Sequence, residues 1–189
     1  MNHDQVRDIV LAAALPAAFE AACLVRCAVA QGQPASMIEF DREDAAGRLT
    51  SLLTRLGCAA EHEVHTGGGR RRYDLQRVLI PESRRRATDR MVAAAWRQGR
   101  QALLSTETLG SSSPRHAQRV TLAHAAWRAA LLAGGRRRRG ELMSVRLGDH
   151  EMAAILVRAA RLLDVSPEVS RRPGCFMVAI PARGVLSAA

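Results

Sequence analysis

The sequence predicts an α+β fold made of two copies of one unit about a pseudo-twofold axis. Three observations carry that prediction. Helical and strand periodicities recur in the same order in both halves. One offset lays most of the second half on the first. Hydrophobic residues are 48% of the 189 while aromatics are only 3%, so the core must close through Ala, Leu and Val, helix packed on helix.

The elements follow from local signals. Asn2–Ala14 reads as a short helix that Pro16 ends, or that gives way there to a new one, since proline suits only a first turn. Phe19, Ala22, Cys23, Arg26, Cys27 and Ala30 continue at helical spacing until Gly32 and Pro34. Ser36–Asp41 reads as a strand. Asp41, with Asp44 three residues on, predicts an acidic capping box for a helix over Arg42–Leu56. Ala45, Leu49, Leu52, Leu53 and Leu56 share its inner face, and Gly57 supplies the stop. Ala59–His65 and Arg71–Ile80 read as a hairpin around Thr66–Gly69.

Glu82–Leu104 reads as a basic helix with Met91, Ala94, Ala95 and Trp96 inward, and Ser105–Pro114 as a linker. The Ala-rich helix Arg115–Ala133 then ends at Gly134 and Gly135, ahead of four arginines. Glu141–Leu147 is a strand, and Asp149 caps a helix over His150–Leu163. Pro167–Arg171 and Cys175–Ile180 form the closing hairpin, turning at Pro173–Gly174. The expected organisation is a first repeat over 1–81, a basic helix and linker over 82–114, and a second repeat over 115–189.

An offset of 107 places Trp127 on Glu20, Leu131 on Leu24, Ala153 on Ala46, Leu156 on Leu49, Leu163 on Leu56 and Glu168 on Glu61. It then shortens to 100, so that Pro181 falls on Pro81. The seven missing residues belong to the His65–Arg71 turn, where a hairpin tolerates deletion. Small residues at Ala22, Cys23, Ala129 and Ala130 would let the two Ala-rich helices approach closely as a central pair.

The net charge is +10, and every basic residue behind it is Arg; there is no Lys. A basic surface attracts polyanions, nucleic acid among them. Cys23, Cys27, Cys58 and Cys175 form no CxxC pair and follow no secretory signal, so a disulfide framework is not indicated. The apolar run Ile9–Ala30 is broken by Pro16, Glu20 and Arg26, too often for a membrane span. The expectation is a cytoplasmic protein without a membrane partner.

AAWRAALLAGG (Ala125–Gly135) and AAILVRAARLLDVSPEV (Ala153–Val169) carry a resemblance, together with MIEFDREDAAGRLTSLLTRLGCAAE (Met37–Glu61) and HTGGGRRRY (His65–Tyr73). In this order they resemble the LAGLIDADG homing-endonuclease fold, and more closely the N-terminal region of the WhiA sporulation-regulator family. The resemblance covers most of the chain. It implies a duplicated LAGLIDADG-like domain, with two antiparallel sheets around a central helix pair.

The endonucleases place an acid at the base of each central helix, and that pair binds divalent metal for phosphodiester hydrolysis. The corresponding positions here are Gly134 and either Cys27 or Ala28, none a carboxylate. The resemblance therefore implies no metal, no cofactor and no nuclease activity, as the WhiA family is regarded as having lost it. Family members also carry a helix-turn-helix domain after the duplicated region. The chain stops at Ala189, so it reads as one domain of such a protein or a truncated paralogue.

Three arginine clusters remain: Arg70–Arg72, Arg84–Arg86 and Arg136–Arg139. Arg70, Arg71 and Arg72 follow three glycines, whose exposed amides could grip a phosphate with them. With Arg136, Arg137, Arg138 and Arg139 they are the expected contacts to the backbone of double-stranded DNA. Weak, non-specific binding is expected, because no module for base readout appears. GGGR at Gly67–Arg70 lacks the ending of a P-loop. Strand alternation sends His62 and His65 to opposite faces, against a metal site with Cys58. The expected function is a non-catalytic, WhiA-like, nucleoid-associated regulator of transcription in sporulation or cell division. It would contact DNA through Arg-rich loops, with a possible protein partner in a transcription complex. The alternative is a protein-interaction scaffold without DNA affinity.

Overall fold

The computed structural model describes residues 3–28, 37–68, 72–105, 113–138 and 142–181. The first half runs α1 (His3–Cys27), β1 (Met37–Phe40), α2 (Glu43–Arg55), β2 (Glu61–Gly67) and β3 (Tyr73–Leu79). Helix α3 (Glu82–Leu104) leads to the second half. That half runs α4 (Pro114–Gly134), β4 (Gly135–Arg138), β5 (Leu142–Leu147), α5 (His150–Leu162), β6 (Glu168–Arg172) and β7 (Cys175–Pro181). Both sheets are antiparallel, ordered β1-β3-β2 and β4-β5-β7-β6.

The expected duplication appears in the strand register. Ile38 faces Val78 and Phe40 faces Gln76 in the first sheet. Val145 faces Val178 and Leu147 faces Phe176 in the second. These are the same pairings, displaced by 107 on β5 and by 100 on β7. Helix α5 starts at His150 and α2 at Glu43, again 107 apart. A register shared between halves means that each folds under the same constraint: one apolar strand face covered by one amphipathic helix.

Three local expectations are corrected. Pro16 neither ends nor restarts a helix; α1 runs through it from His3 to Cys27. An interior proline costs about 3 kcal/mol. Just beyond it, Phe19, Ala21, Ala22, Cys23 and Leu24 are at most 1% exposed. Full burial of a Phe or Leu side chain returns about 2–3 kcal/mol each, so packing holds the helix together. Second, Asp41 does not cap α2. The N-cap is Arg42, with no side-chain cap bond, because Asp41 lies one residue too early. In the second half the N-cap is Asp149, which accepts from the Glu151 amide at 2.8 Å.

Third, the arginines after α4 are not a loop. Through Arg138 they form β4, an edge strand on β5. Gly135 makes this possible: a Cβ there would lie 2.5 Å from the Leu131 carbonyl oxygen. Only glycine lets the chain leave α4 and turn straight onto the sheet. Arg139 lies outside the described residues.

Helices α1 and α4 make the most extensive helix–helix contact. Ala22 and Cys23 on one, and Ala129 and Ala130 on the other, are all buried, as small residues at a close crossing should be. Glu20 of α1 is buried with them and binds Arg48 of α2 and Arg128 of α4. Helix α3 packs its Trp96 on Phe19, ring centroids 6.0 Å apart. Among the described residues no helix is long and apolar enough to cross a membrane.

Candidate nucleic-acid interface

The two central helices end side by side, α1 at Cys27 and α4 at Gly134. These are the equivalent positions of the duplication; Ala28 follows the helix and is buried. Burial, with the Asp149 carboxylate adding to it, pushes the Cys27 thiol up to about 12, so it stays neutral at physiological pH. At Gly134 a Cβ would meet only ordinary contacts, 3.8 Å from the Arg146 carbonyl oxygen and 3.9 Å from Val145. The backbone there has room for a side chain, but the sequence supplies none. Among the described residues no three His, Cys, Asp or Glu side chains are grouped to hold a metal ion.

A cavity of about 870 Å³ opens at this base. Arginines dominate its charge: Arg26, Arg42, Arg136 and Arg146 line it, against one carboxylate, Asp41. Two of the four are fixed from behind. Arg26 pairs with Asp149 and, at 3.2 Å, with Glu151, and lies over the Trp96 ring at 4.0 Å. Arg42 donates to the Gly135 carbonyl at 2.9 Å, reaching across from the first half. The other two, Arg136 and Arg146, are exposed and form no ion pair among the described residues. Fixed guanidiniums behind free ones make a site that attracts an anion and meets it with forked donors.

A second hollow of about 360 Å³ adjoins the first and shares Arg146, Cys175 and Met177 with it. Arg172 also lines it. The strand register explains the arrangement. Arg136 faces Ser144, Arg146 faces Met177 and Arg172 faces Cys175. The alternating positions Val145, Leu147 and Val178 belong to the core. The three arginines therefore share the sheet face opposite the core.

Of the arginines expected from the sequence, Arg136 lies in the cavity. Arg137 and Arg138 are on β4, paired with Met143 and Leu142. Arg70, Arg71 and Arg139 lie outside the described residues. Arg72 is exposed beside β3 and does not line the cavity. Of the Arg84–Arg86 cluster, Arg85 pairs with Glu82 at 2.6 Å on α3. His62 bonds Gln76 at 2.8 Å within the first sheet.

Arg26, Arg42, Arg146 and Arg172 are functional candidates that sequence reasoning missed. Period-two reading of SVRL and EVSRR would have put Arg146 and Arg172 off the core face. Nothing local marks Arg26 or Arg42, which reach the cavity only because the two halves close.

The sequence matches no protein-family model and no curated protein. Solved structures do match. Full-length DUF199/WhiA from Thermatoga maritima aligns over 92% of this chain with a TM-score of 0.58 at 14% identity. The N-terminal LAGLIDADG domain of DUF199/WhiA aligns over 92%, also at 0.58 and with 12% identity, and is itself covered over 80%. A mesophilic variant of the homing endonuclease I-DmoI aligns over 92% of this chain and 93% of its own length, with a TM-score of 0.50 at 12% identity. The chain thus has the LAGLIDADG-like fold, and the expected resemblance holds in three dimensions. It spans about half, 53%, of the full-length WhiA chain it matches.

Proposed function

We propose that this chain is a non-catalytic, DNA-binding LAGLIDADG-like module of the WhiA kind, holding the duplex through its phosphate backbone. One observation carries the reading. The cavity at the base of the helix pair is lined by four arginines, with a neutral thiol and a glycine where the fold's nucleases are expected to carry acids. That reverses the electrostatics of a metal-dependent nuclease. A cation would be repelled there, and a phosphate attracted. Arg136 and Arg146 would take the backbone oxygens, Arg26 and Arg42 would shape the floor, and Arg137–Arg139 would add contacts. No step of bond cleavage follows from these groups, because neither helix end offers a carboxylate to ligate metal or move a proton.

With it we propose the role that the WhiA resemblance of the sequence blocks implies: transcription control in sporulation or cell division, with action at the nucleoid. Binding is expected to follow DNA geometry and charge rather than base sequence. Anisotropy of a labelled duplex across a salt series tests the reading. Affinity should fall with a log–log slope of about −0.9 for each phosphate engaged. A chain with no affinity even at low salt would leave the scaffold reading in its place. Magnesium-dependent nicking of a supercoiled plasmid would overturn the non-catalytic part.

A further inference from the structure

The duplication makes β1, β3 and β2 equivalent to β5, β7 and β6, and their faces can be compared position by position; β4 has no counterpart among the described residues of the first sheet. On the second sheet the face opposite the core carries Arg136, Arg146 and Arg172, with Glu168 opposite Ala179 as the acid. On the first sheet the equivalent face carries Glu39, Glu61 and Glu63 around a single arginine, Arg77. That arginine is already engaged: its Nε donates to Glu39 at 2.8 Å, and Glu63 lies 3.9 Å from Nη1. Glu39 and Arg77 are largely buried, whereas Glu61 and Glu63 are exposed. The described part of one face is strongly cationic; its counterpart is anionic.

We infer that the domain grips a duplex one-sidedly. The phosphate backbone lies on the second sheet and the adjoining arginine cavity, and the first sheet's equivalent face repels it. The inference rests on the DNA-binding reading and narrows it to one half of the pseudo-symmetric surface. The physics is Coulombic: like charges facing a polyanion cost binding, and counterion release occurs only where arginines replace counterions. The two hollows share Arg146, Cys175 and Met177, so their arginines line neighbouring parts of one surface.

The test uses the whole chain, a labelled duplex, anisotropy across salt and hydroxyl-radical footprinting. Two variants are compared, both changing exposed residues: Arg136→Ser/Arg146→Ser/Arg172→Ser, and Glu61→Gln/Glu63→Gln. The triple variant should lose roughly tenfold or more in affinity at low salt, and its log–log slope should flatten by about 2–3. The double variant should bind about twofold tighter or better, with backbone protection spreading beyond the short tract that wild type protects. If wild type binds but the triple variant keeps its affinity and slope, the one-sided grip is wrong. An unchanged or weakened affinity in the double variant overturns it equally. A wild type without any duplex affinity is a different result, since it removes the DNA reading itself.

Discussion

Replacing Glu20 with Gln keeps the shape of the side chain and removes its charge. The carboxylate is 2% exposed and accepts four bonds: from Arg48 Nε and Nη2 at 2.7 and 2.9 Å, and from Arg128 Nε and Nη2, both at 3.0 Å. Glutamine retains one acceptor oxygen and turns an amide NH2 toward the other guanidinium. About two charge-assisted bonds are lost, each worth about 1.5–3 kcal/mol. Arg48 and Arg128 are 32% and 40% exposed and can rehydrate, so the net cost falls to about 2 kcal/mol. For a domain of this size that is a drop in Tm of roughly 4–8 °C. Urea denaturation at pH 7 measures it directly.

The pH dependence gives an independent check. Burial raises the Glu20 pKa, but the hydrogen bonds and charges of Arg48 and Arg128 outweigh it and hold the carboxyl below its ordinary 4.5. The folded value lies below the unfolded one. The stabilisation is therefore present above 4.5 and is lost as pH falls through the folded value. Glutamine does not titrate, so the gap between wild type and Glu20→Gln should be flat above that range and close in acid. A gap under about 0.5 kcal/mol at pH 7, the scale of a neutral surface change, would show that the Arg48–Glu20–Arg128 bonds do not stabilise the fold, as would a gap that persists in acid.

Two further outcomes follow from the same packing. Gly99→Ala should destabilise the domain by about 1–3 kcal/mol in thermal melts, although alanine favours helix. Its Cβ would lie 2.2 Å from the ring of Phe19, which is fully buried and stacked on Trp96; a raised Tm would mean that the α1–α3 contact is looser than described. Cys27, held up to about 12, should alkylate with iodoacetamide at pH 8 about a thousandfold more slowly than a free thiol, following its thiolate fraction. Trypsin cleaves after Arg26 and separates Cys27 from Cys23, so mass spectrometry can follow it alone; rapid labelling of that peptide would show an accessible, ionised thiol.

Much of the fold is legible in the chain because its signals are local. The amphipathic period of α2 and α5, the aspartate cap at Asp149, and Gly57 with φ 77° just past the C-cap of α2 each depend on a few neighbouring residues. The offsets of 107 and 100 are also sequence properties, and the strand register reproduces both. Local logic fails where distant chain intervenes. Pro16 breaks an isolated helix but not one whose next turns are buried. An arginine run reads as loop until Gly135 turns it onto β5.

Residue identities alone dictate the order and type of the elements, their twofold repetition, and the absence of acids at Cys27 and Gly134. Those facts need only propensity, periodicity and residue identity. Which charges meet depends on how the folded chain brings its halves together. Arg26 and Arg42 come from the first half, yet they line a cavity with Arg136 and Arg146 of the second. Glu20 draws Arg48 and Arg128 together across 28 and 108 residues of chain. The physical reason is that Coulomb and hydrogen-bond energies depend on distance in space. That distance is set once the small residues of α1 and α4 have closed the two halves against each other.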